Sequence, residues 1–198
     1  MKKDYNQEME RQIAALKERD SRLLLHSCCG PCSTAVLERL AAHFAPTIYF
    51  YNPNIDSEAE YQRRLESQRL AIEGTSAPHP VSLIAAPYDP APFESAATGL
   101  ESEPEGGLRC THCFTLRLEE TAKLAKAEGF PYFTTTLTVS PHKDAERLNQ
   151  IGAALGEKYG ITYLCGDFKK KDGYRRSIAL SEKLNLYRQA YCGCRFRP

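Results

Sequence analysis

The chain has 198 residues, 42% of them hydrophobic, and a formal net charge of +1. That balance suits one domain with a true core and excludes a disordered or uniformly cationic protein. Residues 1–20 are charged and lack an apolar stretch, so neither a secretory leader nor a membrane span is expected there and a cytoplasmic location is.

Asp4 to Glu18 places Met9, Ile13 and Leu16 at helical spacing and predicts an amphipathic helix packed on the body. Residues 1–20 are read as this leading helix and 21–198 as a single α/β domain. Leu23 to His26 is a short buried-strand candidate, interrupted by Cys28-Cys29-Gly30-Pro31. A helix is predicted over Ser33 to Phe44, a strand over Thr47 to Tyr51, a helix over Glu58 to Ile72 and a strand over Val81 to Ala85. Pro87 to Gly107 reads as a loop with one short helix from Phe93 to Thr98; long loops of this kind are often binding loops or lids. Thr115 to Glu128 then reads as a helix, Tyr132 to Thr136 as a strand, Lys143 to Tyr159 as a helix and Ile161 to Leu164 as a last strand. This alternation predicts an α/β fold: a mostly parallel sheet with helices on both faces. Ligands of such sheets bind beyond the carboxyl ends of the strands, where the first cysteine group falls and where a helix N-terminus favours thiolates.

Eight cysteines in a reducing compartment point to metal ligation or thiol chemistry rather than disulfides. Seven form three groups: Cys28-Cys29-x-x-Cys32, Cys110-x-x-Cys113 and Cys192-x-Cys194. One zinc or one four-iron cluster takes four thiolates, so seven exceed a single site and point to a cluster beside a mononuclear ion. On spacing alone three readings stand: a structural zinc site, an iron-sulfur centre, or thiol-disulfide exchange. Cys165 reads as a buried core thiol. His112 reads as a hydrogen-bonding partner of a sulfur or a substrate, His26 and His142 as structural histidines, and Asp144 and Asp167 as helix caps or proton donors.

Charge is uneven along the chain. Residues 166–198 hold nine Lys and Arg against three acids, and the remainder is net acidic. Lys169, Lys170, Lys171, Arg175, Arg176 and Arg188 suit either phosphate contacts or a solvated face. Tyr174, Tyr187 and Tyr191 interleave with them and suit base stacking or ordinary core packing.

Several blocks together resemble one family. They are Leu24-Leu25-His26-Ser27-Cys28-Cys29-Gly30-Pro31-Cys32, Tyr51-Asn52-Pro53-Asn54-Ile55, Glu60-Tyr61-x-x-Arg64, and Glu103-Pro104-Glu105-Gly106-Gly107-x-Arg109-Cys110-x-x-Cys113-Phe114. Further on come Thr134 to Leu137, Ser140-Pro141-His142-Lys143, Asp167-Phe168-Lys169-Lys170, Gly173-Tyr174 and Tyr187-Arg188-Gln189-x-Tyr191-Cys192-Gly193-Cys194. The set is similar to the QueH family of cobalamin-independent epoxyqueuosine reductases and spans nearly everything after residue 22. The resemblance implies a Rossmann-like sheet related to the nucleotide-binding HUP group, although Cys28 to Ser33 stands where ATP-using relatives of that group carry a Ser-Gly-Gly-x-Asp-Ser loop. ATP use is therefore not expected. It further implies reduction of epoxyqueuosine to queuosine in a tRNA anticodon loop, with an external electron donor. The implied cofactors are a 4Fe-4S cluster on Cys29, Cys110, Cys113 and Cys192, and a mononuclear ion, iron or zinc, on Cys28, Cys32 and Cys194. Some relatives have aspartate at the position of Cys32. Asp167, His112 and Tyr191 are the candidate proton sources by motif location. A zinc-stabilised RNA-binding module and a thiol-disulfide oxidoreductase are the competing functions.

Overall fold

In the computed structural model, residues 3–16 and 21–196 are described. Helix α1 (Tyr5–Ala14) is capped by the Asp4 carboxylate, which accepts from the amides of Asn6 and Gln7. The predicted end of this helix, at Lys17 and Glu18, lies outside the described residues. Met9 is fully buried, and the Gln12 side chain pairs with the backbone of Tyr163 and Cys165, so α1 is fastened to the body.

The body alternates β1 (Ser21–His26), α2 (Gly30–Leu40), β2 (Phe44–Phe50), α3 (Glu58–Glu73), β3 (Ser82–Ala85), α4 (Ala91–Ala97), α5 (Leu108–Ala127), β4 (Tyr132–Thr135), α6 (Ala145–Tyr159), β5 (Thr162–Tyr163) and α7 (Gly173–Lys183). The strands form one all-parallel sheet in the order β3-β2-β1-β4-β5. The chain direction across the sheet reverses between β1 and β4, the crevice where doubly wound folds bind ligands. Strand alternation splits the core. Leu24 and Phe133 face Phe114, Leu118, Leu148 and Leu155 on one side; Leu23, Leu25 and Ile48 face Met9, Val36, Leu37, Leu40 and Phe168 on the other. No helix among the described residues is long and apolar enough to cross a membrane.

Three boundaries differ from expectation in ways that bear on function. Helix α2 starts at Gly30, three residues early, because Cys29 is extended and Pro31 occupies the first turn, where its missing N–H costs nothing. It ends at Leu40, and Phe44 opens β2 instead of closing the helix. Helix α5 starts at Leu108 rather than Thr115, so Cys110-x-x-Cys113 lies on the first turns of a helix and not in a loop. Helix α7 was not foreseen; a turn with left-handed Lys171 and Asp172 introduces it, and it packs on α2.

Gly30 lets α2 meet α3. A Cβ at Gly30 would sit 2.2 Å from the Ser67 carbonyl oxygen. Gly30→Ala is expected to cost about 1–3 kcal/mol by overpacking, readable in denaturant melts; an unchanged midpoint would contradict the close contact.

Candidate metal centre

The first cysteine group sits between β1 and α2. The sulfurs of Cys28, Cys29 and Cys32 lie within 4.8 Å of one another, with Cys28 and Cys29 3.6 Å apart. All eight cysteines are free thiols. This trio can hold a metal ion. Its loop is rigidly tied down. The Ser27 hydroxyl donates to Gln68 at 2.6 Å, Gln68 donates to Ser33 at 2.8 Å, and Asn52 donates to the Ser27 carbonyl at 3.0 Å.

The second and third groups meet across a neighbouring cleft lined by Cys110, Cys113, Cys192 and Cys194. Cys113 and Cys194 pack with Phe93 and Ala97 of α4. The Gly106 amide donates to the Cys110 sulfur at 3.2 Å, and the Cys194 amide to the Cys192 sulfur at 3.4 Å. Two helix N-termini, those of α2 and α5, therefore carry or adjoin five of the seven cysteines, and their partial positive charge favours thiolates. The cleft adjoins a larger cavity of about 450 Å³ lined by Cys28 and Cys32; Cys192, Glu105, Arg117, His142 and Lys143 line both.

The first and third groups each hold one thiol whose ionised form is favoured. Hydrogen bonds from Cys29 and Cys32 hold Cys28 well below the usual thiol range, helped by the charges of Arg117 and Lys143. Cys29 is correspondingly pushed up to about 12, chiefly by its bond to Cys28, and Cys32 is raised as well. In the other group a hydrogen bond from Cys194 brings Cys192 down to about 6, while Cys194 itself is raised. Burial raises Cys113.

Buried arginines shape the site. Arg64 pairs with Glu60 at 2.6 Å and donates to the carbonyls of Cys192 (3.2 Å) and Tyr191 (3.4 Å). Arg109 donates to the carbonyls of Leu100, Glu101 and Glu103 and, at 2.7 Å, to that of Phe196, stapling the α4–α5 loop to the C-terminal segment. Gly193 is left-handed (φ +101°), and a Cβ there would come within 3.1 Å of Arg64. A glycine between the two last cysteines thus permits both the turn and the clamp.

The chain matches the family model described as "Epoxyqueuosine reductase QueH" over residues 23–197. It belongs to that family. It is 45% identical to the protein of Staphylococcus epidermidis named Epoxyqueuosine reductase QueH, across 94% of this chain and 81% of the relative. Relatives of the same name from Streptococcus pyogenes and Haemophilus influenzae are each 41% identical, across 96% and 98% of this chain and 76% and 78% of theirs. Among the family blocks, the fold unites all three cysteine motifs.

The other expected residues are dispersed. Tyr191 lines the large cavity and its hydroxyl donates to Asp56 at 3.0 Å. His112 turns toward the Ala96 carbonyl, 3.2 Å away. Asp167 pairs with Lys169 at 2.8 Å and lines a separate cavity of about 450 Å³ with Lys170. Lys171 pairs with Glu10, Arg175 with Asp172 (3.7 Å) and Arg176 with Glu38 (2.6 Å). Tyr174 and Arg188 line the large cavity, with the guanidinium 5.5 Å from the ring centre. His26 is structural, bonded through Nδ1 to Thr135 (2.9 Å), and Cys165 is a core thiol. His142, set aside as structural, instead lines both thiol cavities with Lys143. Arg117 belongs to no quoted block. Its one signal is phase: it falls between Cys113 and Thr121 on the buried stripe of α5, where a charge is out of pattern.

Proposed function

We propose that this chain is an epoxyqueuosine reductase acting on tRNA, removing the epoxide oxygen to leave the alkene of queuosine. The net reaction takes in two electrons and two protons and releases one water. The observation that carries the reading is adjacency: Cys28, Cys32 and Cys192 line one cavity with Lys143, Tyr174, Arg188 and Tyr191, and Cys192 also lines the adjoining cleft with Cys110, Cys113 and Cys194.

Seven soft donors, five of them at two helix N-termini and two on the C-terminal segment, with buried guanidinium charge beside them, fit a thiolate-held centre. Cys29, Cys110, Cys113 and Cys192 are the proposed ligands of a 4Fe-4S cluster, and Cys28, Cys32 and Cys194 those of a single ion, iron or zinc. The cluster then draws thiols from all three groups and the ion from the first and third. The close grouping of Cys28, Cys29 and Cys32 favours a second division in which Cys29 joins the ion and Cys194 the cluster; loss of the cluster in Cys29→Ala supports the first division, and its retention supports the second. When bound, the cluster supplies single electrons and the ion a Lewis acid.

The protein's own groups do the remaining tasks. Tyr191, which lines the cavity and whose hydroxyl donates to Asp56, is the proposed holder of a proton, and His142 and Lys143 stand at the junction of the cavity with the cleft. Tyr174 and Tyr191 offer faces for unstacked bases of an anticodon loop. Asp167 and His112 remain proton-source proposals that act from outside the two thiol cavities. The electron donor is external.

Among the described residues, Lys170, Arg188 and Lys143 have no acidic partner, whereas Lys169, Lys171, Arg175 and Arg176 are ion-paired. Charge reversal at Lys170 and Arg188 should therefore lower the salt dependence of tRNA binding by about 0.7 per lost phosphate contact, and reversal at Arg176 should leave it nearly unchanged. Equal slopes in all variants would return the basic run to a solvated face. The reading as a whole is tested by incubating epoxyqueuosine-containing tRNA with reduced, anaerobic protein and digesting it to nucleosides. Queuosine is the expected product; unaltered epoxyqueuosine with iron-loaded protein would overturn the assignment.

A further inference from the structure

Arg117 is 3% exposed, and no carboxylate lies within ion-pair range of it among the described residues. Its protein partners are neutral. Nε donates to His26 Nε2 at 3.3 Å and Nη2 donates to Asn52 Oδ1. His26 is kept uncharged, pushed down to about 3 by burial and by the guanidinium itself. A guanidinium stays protonated in any protein environment, and a buried charge without an opposite charge costs several kcal/mol. The fold accepts that cost at a position that adjoins both thiol groups. Arg117 lies one helical turn beyond Cys113, which it approaches as a hydrogen-bond donor, and it acts through its charge on Cys28. It also lines both the cleft and the large cavity. Through Asn52, which donates to the Ser27 carbonyl, it is tied to the residue preceding Cys28.

We infer that Arg117 is the buried counter-charge of the whole thiol site, a positioning residue whose single positive charge is shared by the two cysteine groups and sets how readily the bound centre accepts an electron. This rests on the iron-sulfur reading of the site. Each electron accepted adds one negative charge to a region already crowded with thiolates. A cation in the same low-dielectric interior favours that reduced form, and its removal shifts the balance toward the oxidised form. Arg64 does not serve this purpose, since its charge is balanced by Glu60.

The test compares wild type, Arg117→Lys and Arg117→Gln, each reconstituted with iron and sulfide without oxygen, by iron content and by potentiometric titration of the visible absorption. Arg117→Gln should show at least a tenfold lower ratio of reduced to oxidised centre at a fixed potential, equivalent to 59 mV for one electron. Arg117→Lys, which keeps the charge and loses the forked geometry, should lie nearer to wild type. Loss of iron in Arg117→Gln alone would also support the proposal, because both variants lose the fork and only the Lys variant keeps the positive charge. A midpoint for Arg117→Gln equal to that of wild type would overturn it. So would a Lys variant that shifts as far as the Gln variant, or loses iron as completely, since geometry rather than charge would then be what the site requires. If wild type itself holds no iron, the metal-centre reading fails first and the proposal falls with it.

Discussion

Cys113→Ala should yield a folded protein with no visible thiolate-to-iron absorption and with epoxyqueuosine conversion at background. Cys113 sits on the first turns of α5, buried against α4, and belongs to the cluster under either division of the seven thiols. Loss of one protein thiolate exposes a labile iron, so the effect should exceed the roughly 10- to 100-fold that follows loss of an outer-shell partner. Cys165→Ala is the matched control. It removes a buried thiol of similar size from the core beside β5 that lines neither thiol cavity, and should lower stability slightly while colour and turnover persist. Equal loss in both variants would show that the Cys113 effect is one of folding. Within the same series Cys32→Asp should retain more metal than Cys32→Ala, because a carboxylate still offers an anionic oxygen.

Arg64→Ala should be the most destabilising single change near the site. The guanidinium is 1% exposed and its partner Glu60 11%. Removing it leaves the Glu60 carboxylate buried against the Tyr187 hydroxyl, 3.1 Å away, strips the Tyr191 carbonyl of its Arg64 donor and leaves the Cys192 carbonyl to Asn54. Breaking a buried pair by deleting one partner costs about 3–5 kcal/mol, which for a domain of this size lowers Tm by about 10 °C. Conversion should fall further than stability explains, since the segment carrying Cys192 and Cys194 loses its clamp. Arg64→Lys should not rescue it, because a single ammonium cannot reach Glu60 and both carbonyls together. Replacing Glu60 and Arg64 together by apolar residues should recover part of the stability but not the activity. A Tm within about 2 °C of wild type for Arg64→Ala would contradict the role assigned to the pair.

The contrast between these residues shows what was legible in the chain. The three cysteine motifs and the alternating elements could be read directly, because ligand spacing is local and a parallel sheet announces itself through strand–helix alternation. The elements that escaped were set by tertiary context. Helix α7 buries Ser177 and Ser181 rather than an apolar face and is held by packing on α2. The early start of α5 was masked by Gly106 and Gly107, which read as loop although Gly107 serves as the residue preceding the helix. Side-chain pairing was illegible for the same reason: a run of lysines and arginines near the C-terminus gave no hint that Glu10 and Glu38, far away in sequence, neutralise two of them. Conversely, nothing but its phase on α5 sets Arg117 apart in the sequence, and its burial comes from the fold.

The central claim, that seven thiols hold an iron-sulfur centre that deoxygenates epoxyqueuosine in tRNA, is tested most directly by stripping the protein with a chelator and reloading it without oxygen. Iron, sulfide and zinc are quantified in the same samples whose queuosine yield is measured. Queuosine formation should return in proportion to iron and sulfide, and not with zinc alone. Full conversion by a zinc-loaded, iron-free protein, or none by protein holding a complete cluster and a further iron, would contradict the account.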